Sequence, residues 1–323
     1  MVQDLNKEKE YTQESSIDAS EFEWVGQDAE KSEEISRPSL SFWQDAWGRI
    51  KRDRLALILV IFLGFVILCS VFVPMISPYG FDEQHLTHVN ARMFYHDGTC
   101  FHILGTDALG RDTLVRVWSG GRISLIIAFA TVTINCVIGC IYGGISGYFG
   151  GTVDNIMMRI VEVIVGIPYM LIVILLMVAM EPGIYTIVLA MAATGWTGMA
   201  RMVRGEVLRL KEQEFVIAAQ SMGASPKRIL VKHLFPNVLS IIIVNLTLAI
   251  PSAIFSEAFL SYIGLGVQPP LASWGSLCQE AAAVYRYYPE QLFAPAILIS
   301  LTMLSFNLLG DKLRDAFDPK LRR

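Results

Sequence analysis

The sequence predicts an all-α, polytopic membrane protein with six spanning helices and both termini cytoplasmic, and three observations carry that prediction. The first is composition: of 323 residues, 53% are hydrophobic and 17% charged, and mean hydropathy is +0.47. That balance excludes an ordinary soluble domain. The second is a set of six apolar stretches, at 55–76, 123–149, 160–180, 184–200, 238–262 and 292–310. Roughly 20 helical residues cross a hydrocarbon core of about 30 Å. The third is the placement of basic residues. Seventeen lie on one side of these spans: Arg49, Lys51, Arg52, Arg54, Arg159, seven from Arg201 to Lys232, and five from Lys312 to Arg323. Four (Arg92, Arg111, Arg116 and Arg286) lie on the other. The richer side is cytoplasmic by the positive-inside rule.

Taken in order, residues 1–40 carry eleven acidic against four basic residues and no apolar run. Residues 1–38 are therefore expected to be a disordered acidic cytoplasmic tail, with no signal peptide. The segment 39–54 reads as an interfacial amphipathic helix, with Phe42, Trp43, Ala46, Trp47 and Ile50 on one stripe ahead of a basic cluster. The six spans occupy 55–310, with external segments 77–122 and 263–291, a cytoplasmic loop at 201–237 and a cytoplasmic tail at 311–323. Pro168 and Pro251 are expected to bend spans three and five. Gly139, Gly143 and Gly147 recur every four residues, a small-residue ladder for close helix packing.

The cytoplasmic stretch EFVIAAQSMGASPKRILVKHLFPN, residues 214–237, is helix-friendly and sharply punctuated. Ala218, Ala219 and Met222 give a small-residue helix face. Gly223 ends that helix in a conformation expected to need positive φ. Ser225 caps the next helix and Pro226 suits its first turn. Ile229, Leu230, His233 and Leu234 lie on one face, and Pro236-Asn237 is expected to stop the helix before the fifth span. Helix, glycine turn, short helix and stop make a compact knob, suited either to docking a soluble partner or to packing on its own bundle.

At these residues the sequence resembles ABC-importer permeases of the dipeptide/oligopeptide family, and in particular the C-type subunit. IAAQSMG followed by LFP matches their cytoplasmic E-A-A loop at Ala218, Ala219, Gly223, Ile229 and Pro236, with Ile217 where the Glu would stand. ILGTDALGRD with GGRISL, EAFLSYIGLGVQPPLASWG and GDKLRDAFDPKLRR extend the resemblance from about residue 39 to the end. The resemblance implies a multi-pass protein of the bacterial cytoplasmic membrane that takes up oligopeptides or dipeptides. The implied partners are a second, homologous permease subunit, two cytoplasmic ATPase subunits and an external substrate-binding lipoprotein. ATP and Mg would sit on the ATPases, and no cofactor on this chain. The implied coupling residues are Ile217, Ala218, Ala219, Met222, Gly223, Ala224, Ser225, Pro226, Ile229, Leu234 and Pro236. The same branch also serves nickel and other small solutes.

One motif is a decoy. Gly105 to Asp112 has the glycine spacing of a phosphate loop, but Arg111 replaces the Lys, Asp112 replaces the Ser/Thr, and the segment is external. An ordered turn into the second span is expected instead. Asn135, Asn245, Asn307 and Glu257 are the candidate pathway groups, each also open to helix–helix hydrogen bonding or, for Glu257, to simple solvation near the outer surface. Cys136 and Cys140 read as small apolar residues.

Rival classes lack support. An ion-coupled secondary carrier needs ionisable groups near mid-membrane, where only Glu257 qualifies. A membrane enzyme needs a catalytic constellation, and none is present. Nothing points to nucleic acid. His85, His88, His96, His102 and Cys100 cluster in one external segment. Metal ligation and a Cys100–Cys278 disulfide are its two chemical readings, but the expectation is a polar cap over the pathway mouth with no metal.

Overall fold

The computed structural model describes residues 42–98 and 100–317, so the expectations for the tail at 1–38 and for the last six residues lie outside it. The chain divides into two compact units, 1–45 and 46–323. The first is described only at residues 42–45, and every helix from residue 54 onward belongs to the second. Helix α1 (Phe42–Arg52) precedes α2 (Arg54–Ile76). Asp53 makes the break by capping α2: its Oδ1 accepts from Leu55 N at 2.9 Å and Ala56 N at 3.1 Å. Its Oδ2 meets Lys312 Nζ at 2.8 Å. That hydrogen bond holds the Asp53 carboxyl below its ordinary range. Of the expected α1 stripe, only Trp47 and Ile50 have described side chains, and Trp47 is exposed beneath Lys51.

The remaining helices are α3 (Thr113–Phe149), α4 (Gly151–Gly166), α5 (Tyr169–Ala179), α6 (Ile184–Lys211), α7 (Glu214–Ser221), α8 (Pro226–Tyr262), α9 (Trp274–Ala282) and α10 (Pro289–Phe317). Among the described residues α2, α3, α8 and α10 are long and apolar enough to span a membrane, and a bent α4–α5 pair makes a fifth. Helix α6 falls short by composition, its apolar half diluted by Thr186, Thr194, Gly195, Thr197 and Gly198.

One expectation is corrected and two are refined. The helix that carries the second apolar stretch begins ten residues before it, at Thr113, because Asp112 accepts from Val115 N at 2.9 Å and caps it there. The third stretch is two helices meeting at 79°, since Pro168 lacks an N–H and forces Ile167 out of the helical region, to φ −93 and ψ 131. Pro236 does not stop the helix before the fifth span. A π turn at Ile229–Leu234 precedes it, Phe235 N reaches back to Leu230 O, and Asn237 Nδ2 donates to His233 O at 2.6 Å. The wider turn absorbs the proline, so α8 runs unbroken.

The core forms around α3. Ile123, Ile127, Ala128 and Val132 are buried with Ile187 and Met191 of α6 and Ile250 and Ile254 of α8. The glycine ladder sets how close α6 lies. A Cβ at Gly139 would stand 2.6 Å from Met199 Cβ, one at Gly143 2.3 Å from Ala200 O, and one at Gly147 2.9 Å from Arg204 O. Only hydrogen fits at that backbone approach.

The loop before α3 forms a braced cap with α9. Gly110, at φ +73, leaves its α-hydrogen where a Cβ would sit 2.1 Å from His85 O. Asp107 Oδ1 accepts from Leu109 N at 2.8 Å and Arg111 N at 3.0 Å. Its Oδ2 takes Arg111 Nε at 2.7 Å and also Arg116 Nη1. Burial pushes the Asp107 carboxyl up, but the Arg116 charge and the two backbone donors outweigh it and hold the group below its usual value. Arg116 then reaches Glu280 of α9 at 2.7 and 3.0 Å, and Gln291 Nε2 donates to Thr106 O at 2.8 Å. The phosphate-loop look-alike is thus spent on internal bonds.

Candidate functional site

The knob is built on a cluster of Val203, Val207 and Leu210 with Val238 and Ile242. Val216, Ile229 and Leu234 are fully buried against it. Ile229 and Leu234 share a face because the π turn brings i and i+5 together. Each such side chain stabilises by roughly 1.5–3 kcal/mol when fully buried, so three anchors suffice to seat the knob. Gly223 carries the reversal at φ +78, and a Cβ there would meet nothing within 4 Å. Its N–H donates to Gln220 O at 2.9 Å, and Ala224 N closes onto Ala219 O at 3.1 Å. Ser225 then accepts from Arg228 N at 3.4 Å, with Pro226 in the first turn.

One expected face is redistributed. Ala219 is 3% exposed and points inward beside Val216, as a spacing of three residues requires. The outward face is Phe215, Ile217, Ala218, Met222 and Gly223. Met222 is 82% exposed, an unsupported apolar side chain at the tip. Ile217, at the position where the family pattern has Glu, is also exposed, so that edge of the knob is apolar. Pro226 and Pro236 are exposed, and Ala224 is half-buried.

Among the pathway candidates, Asn135 and Asn245 line one cavity of about 310 Å³ between α3, α6 and α8, with Gly195, Gly198 and Met199. Asn245 Nδ2 donates to Ile241 O at 2.9 Å. Asn135 Oδ1 is buried without a hydrogen-bond partner. Asn307 lies elsewhere, on an exposed face of α10. Glu257 is not solvated: it is 0% exposed, accepting from Ser124 Oγ at 2.8 Å and Ser261 Oγ at 2.7 Å. Ser124 Oγ in turn accepts from Trp274 N at 3.1 Å, so Glu257 ties α3, α8 and α9 together.

Sequence reasoning missed the Asp107–Arg111–Arg116–Glu280 brace. Three of its members lie within ten residues, and the acid–base content of GTDALGRD hinted at them, but Glu280 is more than 160 residues away and only the fold brings it in. Cys100 and Cys278 are not joined by a disulfide. Burial, then the nearby Glu257 charge, pushes the Cys278 thiol up to about 11.

Residues 118–323 match the model for the binding-protein-dependent transport system inner membrane component. Residues 41–92 match the N-terminal transmembrane domain of oligopeptide transport permease C. The chain is 48% identical to the dipeptide transport system permease protein DppC of Bacillus subtilis over 305 residues, covering 93% of this chain and 94% of that protein. It is 47% identical to the oligopeptide transport system permease protein OppC of the same organism, covering 94% and 97%. The fold also resembles the inward-facing methionine ABC transporter MetNI, with TM-score 0.51 at 20% identity over 63% of this chain and 96% of that one. With its apolar helices and its matches over nearly the whole length, this chain belongs to the inner-membrane permease components of binding-protein-dependent ABC importers.

Proposed function

We propose that this chain is one of two homologous permease subunits of an ATP-driven peptide importer, and that it transmits ATPase motion through the knob at residues 214–236. The single observation that carries this reading is the knob's division into an inward face anchored on α6 and α8 and an outward apolar face that supports nothing in its own chain. Two cytoplasmic ATPase subunits, holding ATP and Mg, dock there; an external lipoprotein delivers the solute. Peptide as solute follows the named activities of the two Bacillus subtilis relatives. No catalytic role falls to this chain.

Six crossings with cytoplasmic termini fit the contacts. The Asp53–Lys312 bond joins the start of α2 to the end of α10, which supports an even number of crossings. The glycine ladder meets Met199, Ala200 and Arg204 in rising order, so α3 and α6 run parallel. The chain must therefore cross once between them, through the bent α4–α5 pair. The transmembrane unit then spans 55–310, with the end of α10 on the cytoplasmic side. The cavity at Asn135 and Asn245 is the pathway segment, and the unpartnered Asn135 Oδ1 is its polar contact. The ladder that holds α3 against α6 makes this wall stiff, so ATP-driven rocking moves α8 relative to it. Reconstituted vesicles test the reading: labelled peptide should enter only with both ATPase subunits, the binding protein and ATP. Uptake without the ATPases, driven by an ion gradient, would overturn it.

A further inference from the structure

The external cap gathers three histidine rings and a thiol where the sequence offers no familiar metal spacing. His88 ends a 3-10 turn at Leu86–His88, and Cys100 and His102 lie on a hairpin whose strands are β1 (Tyr95–His96) and β2 (Phe101–His102). One ligand atom each from His88, Cys100 and His102 all fall within 4.8 Å of one another. A tetrahedral zinc site with arms of about 2.0–2.3 Å has ligand atoms roughly 3.4–3.8 Å apart, so closing the cluster takes a contraction of about an ångström.

The carboxylates behind the rings decide between accident and site. His102 is 0% exposed; its Nδ1 bonds Asp112 Oδ2 at 2.8 Å, while its Nε2 is buried with no partner. His88 repeats the arrangement: Nε2 meets Asp97 Oδ2 at 2.7 Å, and Nδ1 is buried with no partner. Each carboxylate fixes the ring proton on the nitrogen it holds, leaving the lone pair of the other nitrogen turned into the protein. Such a backing carboxylate orients a metal-ligating imidazole and raises its basicity. Asp97 does double service, since its Oδ1 accepts from Cys100 N at 2.9 Å and so sets the thiol's backbone as well. Asp112 also caps α3. Thr106 Oγ1 donates to His88 O and pins the turn. His85 lies next to the cluster, its ring centroid 6.1 Å from that of His102 and its Nε2 3.4 Å from Glu83 Oε1.

We propose that His88 Nδ1, Cys100 Sγ and His102 Nε2 bind one Zn²⁺, with His85 or water as the fourth ligand. Two imidazoles and a thiolate favour zinc over hard cations such as Mg²⁺ or Ca²⁺. Binding releases the Cys100 thiol proton to solvent. The ion staples the turn, the hairpin and, through Asp112, the first turn of α3, stiffening the external cap. This site stands independently of the transport reading.

The test uses the full chain, purified in detergent through a tag without histidines, stripped with chelator and titrated with Zn²⁺ and with Co²⁺. One Zn²⁺ per chain is expected, and Co²⁺ should give a thiolate charge-transfer band that Cys100→Ser abolishes. His102→Ala should weaken Zn²⁺ binding at least tenfold, and Asp97→Asn by about 10–100-fold, while His233→Ala, on the knob and outside the cluster, leaves it unchanged. Melting temperature and gel filtration monitor folding of each variant. Well below one Zn²⁺ per folded chain, a Co²⁺ complex without the thiolate band, or binding unchanged in folded Cys100→Ser and His102→Ala overturns the proposal.

Discussion

The two ends of this molecule are built on opposite plans. At the cap, Asp107 accepts two backbone and two guanidinium donors, Arg116 is 1% exposed, and Gln291 closes the seam to α10. At the knob the cohesion comes from three buried apolar anchors, and Phe215, Ile217 and Met222 stand exposed on the outer face. The contrast teaches where each part is designed to give. A network of buried charges resists opening as a whole, because pulling it apart leaves charges unpaired away from water. A knob seated by non-directional apolar contacts can be pulled as a rigid piece without leaving a polar group unsatisfied.

The largest effect should follow from breaking the cap's backbone. Gly110→Val combines a left-handed φ with a 2.1 Å clash against His85 O, and strain of this kind costs several kcal/mol. Folded chain should fall to near background by fluorescence-detected gel filtration. Next, Arg116→Met leaves Asp107 and Glu280 with Arg111 as the one cation they still share. Loss of one member of a buried pair costs about 3–5 kcal/mol, discounted here because the Glu280 side chain is 32% exposed. The melting temperature should drop by several degrees, with insertion retained.

Gly223→Val tests the other end. The residue also sits at positive φ, but with open space around it, so the cost to stability should stay near 1–2 kcal/mol. Peptide uptake in vesicles should fall more than tenfold while ATP hydrolysis by the assembled complex persists. Smallest is a pH effect. Asp107 lies below its ordinary value, so its contribution is full above the unfolded carboxylate value of about 3.9 and is lost as pH falls through the lower folded value. Melting temperature should be flat from pH 7 to 5 and decline only below about pH 4, and Asp107→Asn should flatten that decline.

Hydropathy located five of the membrane segments because lipid demands long apolar runs. It placed the third span without its angle, since Pro168 signals a bend but not 79°. Pro236 misled because local propensity knows nothing of a π turn just upstream. At the knob, Gly223 was legible from its position after a small-residue run, whereas Ala219's inward orientation depends on the packing of α6 and α8. The cap's salt-bridge network and the two His–carboxylate pairs were invisible because they join residues through the fold rather than along the chain.

The most direct test is site-specific photo-crosslinking in the assembled transporter. A photoreactive amino acid at Met222 or Ala218, both exposed, should join this chain to an ATPase subunit, with yield that changes on ATP addition. The same probe at Ala219, 3% exposed, should label only this chain. Absence of ATPase adducts from both Met222 and Ala218 in a complex that still contains the ATPases would contradict the account.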